Sequence, residues 1–320
     1  MESSFDICNS KKMKNILITG SSGYIGKNLV KYLCKKKEYK IRTLSRKRLD
    51  IFDRKVIQIT NKNFNEIYNF SKILRDIDTV IHLAAFSNNS NKNNNIKDID
   101  TINTIFLNKF IKQCITFKIK KFIFISTSKV YGEYNKNSIF DTSSIVNPSN
   151  NYSFSKFRGE ELVKKNFNNK NIKYLLVRMP MVYAEDNNNN FRMLEKFVKF
   201  NLPLPIKNLN NKKSVLHIKN FCDFIDKIIL IKKFEINLVN LCDDFDVTTG
   251  DFLNYFIKKN NTKNLNIHLP QKFIKFGFKL ICRNDIYTKL FLPNQISNSS
   301  AKIHFNWKPK YSFKDYIYNN

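Results

Sequence analysis

Three of the seven glycines in this 320-residue chain, Gly20, Gly23 and Gly26, fall within one stretch of seven residues. They follow the apolar run Asn15-Ile-Leu-Ile-Thr19 and open a helical pattern that runs from Gly26 to Lys36. A strand that ends in G-x-x-G-x-x-G and returns as a helix has to turn sharply, and the first glycine permits that turn. The middle one lets the backbone approach a ligand, and the last lets helix pack on strand. A ligand held there meets a helix N-terminus, where N–H groups and the helix dipole favour an anion such as a pyrophosphate. A glycine turn without a ligand is the plainer reading. In a chain this poor in glycine, the clustering favours binding.

Strand-like and helical segments alternate beyond this point. Lys40-Ile-Arg-Thr-Leu44 is a second strand, a weak third lies around Val56 to Ile59, and Thr79-Val-Ile-His-Leu83 is a fourth. Ile102 to Phe117 reads as a helix, Lys121 to Ile125 as a strand, Ser153 to Phe167 as a helix and Lys173 to Val177 as a strand. The alternation predicts an α/β fold, a doubly wound parallel sheet from about Lys14 to Val177. The expected division is a flexible tail over 1–12, a dinucleotide-binding domain over 13–178 and a smaller, mainly substrate-binding domain over 179–320. Some segments of the last are expected to return to the sheet. The Asn-rich stretches Ser87 to Asn95 and Asp186 to Asn190 read as polar loops.

Two further segments carry chemistry. Phe122-Ile-Phe-Ile-Ser-Thr-Ser128 is an apolar run that ends in hydroxyls, and Tyr152-Ser-Phe-Ser-Lys156 places a tyrosine four residues before a lysine. A phenol near pKa 10 is a poor acid/base at neutral pH. A lysine at i+4 shares its helix face, and the ammonium charge favours the phenolate. Alone, such a pair arises by chance in helices rich in both residues. After the glycine turn and the hydroxyl-ended strand, it describes a nicotinamide-dependent enzyme with a tyrosine acid/base.

In this order the three segments resemble the extended branch of the short-chain dehydrogenase/reductases, the NAD-dependent epimerase/dehydratase family, which acts largely on nucleotide sugars. The resemblance covers nearly the whole chain. Counting back from Val130-Tyr-Gly132 gives Thr127, beside Ser126 and Ser128, as the hydroxyl that bonds the substrate oxygen. Thr127, Tyr152 and Lys156 are thus the implied catalytic residues. His82-Leu-Ala-Ala85 and Asn103 match segments beside the cofactor, and Arg178-Met-Pro-Met-Val-Tyr-Ala184 one near nicotinamide and substrate. The implied cofactor contacts are Gly20, Gly23, Tyr24, Ile25, Gly26, Ser45, Arg46, Leu83, Ala84, Ala85, Asn103, Tyr152, Lys156 and Pro180. The implied substrate contacts are Thr127, Ser128, Asn190 and Lys213. Asn189-Asn190-Phe191 falls where an asparagine meets the diphosphate. Leu202-Pro-Leu-Pro205, Lys213-Ser-Val-Leu-His-Ile218 and Phe305-Asn-Trp-Lys-Pro309 fit the substrate domain. Three residues depart from the pattern: Ala184 replaces a glycine, Lys213 an arginine and Lys219 an aspartate. Lys213 keeps the charge but not the bidentate fork.

The end of the second strand bears on the cofactor. NAD sites place a carboxylate about 20 residues after the glycines, whereas a basic residue there suits the 2′-phosphate of NADP. Ser45 and Arg46 occupy that point, and no carboxylate appears before Asp50. NADP is therefore the expected cofactor, with NAD as the alternative. The corresponding activity is an NADP-dependent reductase of a UDP-linked 4-keto-6-deoxy-N-acetylhexosamine in surface-polysaccharide precursor synthesis. An NAD-retaining UDP-hexose 4-epimerase shares the same three catalytic residues. A non-catalytic NADP- or nucleic-acid-binding protein of the same fold is the alternative from another class.

The net charge is +30. It comes with abundant Lys, Asn, Ile and Phe, the residues of A/T-rich codons, and is spread along the chain rather than gathered in a stripe. A solvated lysine surface is the preferred reading, and nucleic acid is not the expected partner. The six cysteines include no C-x-x-C, so neither a disulfide framework nor a metal site is expected. The start lacks a signal-peptide pattern, no stretch is long and apolar enough to span a bilayer, and a cytoplasmic location is expected. Phe273 to Phe291 reads as one amphipathic helix of the smaller domain. The sequence leaves a homodimer open.

Overall fold

The computed structural model describes residues 13–86, 99–135, 138–184, 192–201, 203, 209, 211–265 and 267–318. The expected tail, the two Asn-rich loops, Asn190 with its neighbours, and all but Pro203 of the segment 202–205 lie outside the described residues.

Apolar, β-branched runs form the strands. β1 (Lys14–Thr19), β2 (Tyr39–Ser45), β3 (Ile57–Thr60), β4 (Thr79–His82), β5 (Lys121–Thr127), β6 (Lys173–Met179) and β9 (Leu238–Asn240) make one sheet. Its hydrogen-bonded order is β3-β2-β1-β4-β5-β6-β9. β1 pairs in parallel with β2 and β4, β2 with β3, and β4 with β5. The chain runs outward from β1 to β3, then resumes with β4 on the other flank of β1. The order therefore reverses between β1 and β4, the place where an open parallel sheet accepts a ligand. Strands β4 and β5 are buried along their length, as strands covered on both faces must be. A shorter pair, β7 (Met181–Tyr183) with β8 (Val215–His217), is also parallel.

The helices are α1 (Tyr24–Leu33), α2 (Ser71–Leu74), α3 (Leu107–Thr116), α4 (Asn151–Phe167), α5 (Arg192–Lys199), α6 (Ile218–Leu230), α7 (Thr249–Asn260), α8 (Gln271–Leu280), α9 (Asn284–Phe291), α10 (Ser299–Phe305) and α11 (Phe313–Tyr318). One helical expectation holds with a refinement and one needs correction. The first turn of the Ile102–Phe117 helix is π-helical over Thr101–Phe106, and the α-helix proper begins at Leu107. The single helix expected over Phe273–Phe291 is two, α8 and α9. Cys282 between them takes a left-handed φ of 52°. Its N–H bonds the Lys279 carbonyl at 3.1 Å and the Arg283 N–H bonds that of Phe278 at 2.8 Å, which closes α8 in a Schellman motif.

The chain divides into two units. The first comprises Met1–Val130, Pro148–Arg178 and Phe221–Val239. Its core packs Leu17, Leu44 and Val80 of the sheet with a phenylalanine cluster that includes Phe106, Phe110, Phe122 and Phe167. Ring centroids of Phe122 and Phe167 lie 5.2 Å apart and those of Phe106 and Phe110 5.5 Å, ordinary aromatic packing distances. The second unit comprises Tyr131–Asn147, Met179–Asn220 and Asn240–Asn320. Its own core gathers Tyr183, Val198, Val215, Phe252, Phe256 and Phe313. Among the described residues, no helix is long and apolar enough to cross a membrane.

Candidate active site

The turn after β1 is built as the glycine spacing requires. Gly20 has φ +71°, and a Cβ there would lie 2.7 Å from the Ala84 nitrogen at the end of β4. Only glycine fits. Gly23 differs, because its backbone is extended (φ −75°, ψ 165°) and a Cβ would meet nothing nearer than the Gly20 carbonyl at 3.3 Å. Packing inside the protein explains Gly23 least, and close approach of an external pyrophosphate explains it best. Gly23 is also the N-cap of α1 and supplies no side chain, and the first turn holds no acid. The Lys27 N–H makes the first bond back, to the Gly23 carbonyl at 2.9 Å. The N–H groups of Ile25 and Gly26 precede that bond, at the positive end of the helix dipole. This donor set suits a dinucleotide.

At the end of β2, Ser45 is buried and its hydroxyl donates to the Lys47 carbonyl at 2.7 Å. Arg46 is exposed, with its guanidinium 5.8 Å from the centroid of the Phe86 ring. The two candidates for the adenosine ribose are therefore unequal, since Ser45 is engaged inside the turn and Arg46 is not. Leu83, Ala84 and Ala85 follow β4, and Thr19 ties the two strand ends together. Its hydroxyl accepts from the Ala84 N–H at 3.1 Å and lies 3.1 Å from His82 Nδ1. Burial, and then the Lys156 charge, push His82 down to about 3, so it is neutral.

Helix α4 carries the acid/base pair, and its start is fixed locally. Asn150 and Ser153 form a reciprocal capping box, with Ser153 N–H to Asn150 Oδ1 at 2.9 Å and Asn150 N–H to Ser153 Oγ at 3.1 Å. Tyr152 falls in the first turn, and Lys156 one turn later on the same face. The Tyr152 hydroxyl makes no hydrogen bond to the described residues, while its carbonyl accepts from Ser155 Oγ at 2.8 Å. Ser155 Oγ in turn accepts from Asn103 Nδ2 at 2.8 Å. Asn103 also holds the Phe86 backbone, accepting from its N–H at 2.7 Å and donating to its carbonyl at 3.2 Å. Its place in the π-helical turn thus joins the loop after β4 to the helix of Tyr152.

Lys156 is buried with its ammonium 4.1 Å from the centroid of the Phe124 ring. Burial pushes it down to about 7, and the Glu160 carboxylate opposes that fall. Burial likewise pushes the Tyr152 phenol up to about 12. Within this chain burial alone sets the phenol, and the lysine expected to favour the phenolate does not bring it down. Thr127 and Ser128 stand at the carboxyl end of β5, both buried, and the Lys129 N–H bonds Thr127 Oγ1 at 3.3 Å.

Sequence reasoning missed Glu160. Its carboxylate accepts from Arg178 Nη2 at 2.6 Å, from Arg178 Nε at 3.0 and 3.2 Å, and from Ser126 Oγ at 2.5 Å. The signal was one more step of the same spacing, since Tyr152, Lys156 and Glu160 recur every fourth residue.

Pro180, Lys213 and Lys219 belong to the second unit. Pro180 links β6 to β7. Lys213, expected on a phosphate, donates its ammonium to the Leu292 carbonyl, and burial pushes it down to about 8. Lys219 lies 5.0 Å from the centroid of the Tyr311 ring. No group of three or more His, Cys, Asp or Glu side chains that could hold a metal occurs among the described residues.

Known proteins are similar to this chain in sequence and fold. Residues 16–238 match the family described as "NAD dependent epimerase/dehydratase family". A UDP-glucose 4-epimerase of Vibrio cholerae is 27% identical over 312 residues, covering 95% of this chain and 94% of that protein. A dTDP-D-glucose 4,6-dehydratase of Dictyostelium discoideum is 30% identical over 275 residues, 75% of this chain and 60% of that protein. The solved structure of a UDP-glucuronic acid 4-epimerase from Bacillus cereus in complex with NAD has a TM-score of 0.73 at 20% identity. It covers 95% of this chain and 96% of that chain, and at this identity it speaks for the fold.

Proposed function

The chain belongs to the NAD-dependent epimerase/dehydratase family, and from that premise we propose that it is a UDP-hexose 4-epimerase. The observation that carries redox chemistry at a sugar carbon, common to epimerases and reductases, is Tyr152 and Lys156 on one face of α4, with the hydroxyls of Thr127 and Ser128 at the end of β5 in the same unit. The match to the Vibrio cholerae epimerase over 95% of the chain supports the choice of reaction.

Gly23 and the first turn of α1 would hold the pyrophosphate, and Lys156 the nicotinamide ribose. When bound, the nicotinamide would accept the C4 hydride and give it back to the opposite face of that carbon. Thr127 Oγ1 orients the hydroxyl on sugar C4 by hydrogen bonding. Tyr152 Oη would take the proton of that hydroxyl as C4 becomes a ketone, and would return it to the same oxygen when C4 is reduced again from its opposite face. Burial brings Lys156 down to about 7, so its charge changes near neutral pH.

A second reading has its own observation. Ser45 and Arg46 leave the end of β2 without a carboxylate, which favours NADP and a UDP-4-keto-sugar reductase. One preparation tests both. The epimerase should contain NAD on mass spectrometry of its bound nucleotides and interconvert UDP-glucose and UDP-galactose with no added cofactor. Bound NADP, with NADPH consumed only when a UDP-4-keto-6-deoxyhexosamine is supplied, would replace the first reading by the second.

A further inference from the structure

Helix α8 buries none of its residues. Phe273 is 70% exposed, Phe276 60% and Leu280 68%. At i, i+3 and i+7 these three lie within an arc of about 60° on the helix surface. The face turned to the protein is a different one, where the Phe278 ring meets Tyr287 and Phe291 at centroid distances of 6.3 and 6.0 Å. The apolar stripe therefore lies on the opposite side of the helix from this contact, in solvent.

The third face is basic. Lys272, Lys275 and Lys279 form a row beside the stripe, all exposed, and none makes an ion pair with a described residue. The charge around them has one sign. Between Asp251 and Asp285 the chain carries no carboxylate and seven lysines and arginines. The stretch between Asp100 and Glu133 is also free of acid, but there α3 turns its apolar face inward and buries Leu107, Phe110, Ile111 and Cys114. Helix α8 instead sets its lysines beside apolar side chains left in solvent. A helix with an apolar stripe flanked by lysines suits the boundary between lipid headgroups and acyl chains, and its charge selects anionic lipid. A second copy of the chain would bring a like-charged surface to the same face and is disfavoured.

We propose that α8 docks the protein onto an anionic membrane surface, with Phe273, Phe276 and Leu280 inserted among the acyl chains and Lys272, Lys275 and Lys279 at the headgroups. The helix lies on the bilayer and does not cross it.

The full chain is mixed with sedimentable vesicles, either of phosphatidylcholine alone or with about one-third phosphatidylglycerol. Binding is expected only to the second composition. A strongly basic protein could adsorb there by charge alone, so the deciding variant keeps every charge. Phe273→Ser, Phe276→Ser and Leu280→Ser together should weaken binding at least about tenfold while catalytic activity and circular dichroism stay unchanged. A probe of insertion comes from Phe276→Trp, read against the single native tryptophan, Trp307, which is buried. The emission of the introduced indole should shift to the blue and be quenched by brominated acyl chains. Equal vesicle binding by the serine variant would overturn the proposal and leave plain adsorption. So would an unshifted emission in the Phe276→Trp protein, or a change of oligomeric state in the serine variant without loss of vesicle binding.

Discussion

Arg178 and Glu160 face each other as a doubly hydrogen-bonded ion pair in which the arginine side chain is 2% exposed and the carboxylate 0%. The pair joins the end of β6 to α4 one turn beyond Lys156, and Ser126 of β5 closes the network. Breaking a buried pair leaves an uncompensated charge. Glu160→Gln should therefore cost roughly 3–5 kcal/mol in urea unfolding, whereas the joint Glu160→Leu, Arg178→Met variant should lose much less. Glu160→Gln should also lower the Lys156 pKa further, by removing the charge that opposes its burial. Equal losses in the single and double variants would mean that the pair is not an isolated electrostatic unit.

The ammonium of Lys121 donates to the carbonyls of Ile228 and Ile229 at 2.9 Å and of Ile231 at 2.6 Å, at the C-terminal end of α6. Burial, then the charges of Lys14 and Lys173, push it from 10.5 down to about 7. Between these values the unfolded chain binds the proton and the folded chain does not, so this group makes stability rise with pH from about 7 to 10.5. The slope is at most about 1.4 kcal/mol per pH unit. Lys121→Met should destabilise at every pH, since three carbonyls lose their donor. The stability difference between wild type and variant should nonetheless grow across this window in urea titrations. A difference independent of pH would show that Lys121 stays charged throughout.

Tyr152→Phe removes one hydroxyl that has no partner among the described residues, so folding and nucleotide binding should survive. Turnover should fall by roughly 100- to 10,000-fold, the usual loss of a general acid/base. Lys156→Ala should damage both turnover and cofactor binding, measured by nucleotide titration beside steady-state rates. Full activity in Tyr152→Phe would rule out the tyrosine mechanism.

The parts of the site that sequence exposed are those set by short-range spacing. The glycine turn and the Tyr152–Lys156 pair each lie within one helical turn or loop, where neighbours in sequence are neighbours in space. Glu160 escaped notice because its meaning depends on Arg178, a residue on another element whose distance no local pattern gives. The break at Cys282 was hidden for a different reason: neither Gly nor Asn marks the left-handed position, so the apolar periodicity ran straight through it. Asn103 and Ser45 were identified as residues of interest, but their observed partners, Phe86 with Ser155 and the Lys47 carbonyl, are tertiary or loop contacts that spacing does not encode.

Cofactor choice separates the epimerase from the reductase, and the structure narrows it to one side chain. Ser45 is held by the Lys47 carbonyl, which leaves exposed Arg46 as the candidate partner of a 2′-phosphate. A charge-assisted hydrogen bond contributes roughly 1.5–3 kcal/mol, so Arg46→Ala should weaken NADPH binding by up to about a hundredfold. NADH carries only a hydroxyl there and should be nearly unaffected. Titration of both nucleotides against wild type and variant gives the answer directly. A selective loss of NADPH affinity would favour the reductase. Equal effects on the two nucleotides would mean that Arg46, 5.8 Å from the Phe86 ring centroid, does not read the phosphate, and the epimerase would stand on firmer ground.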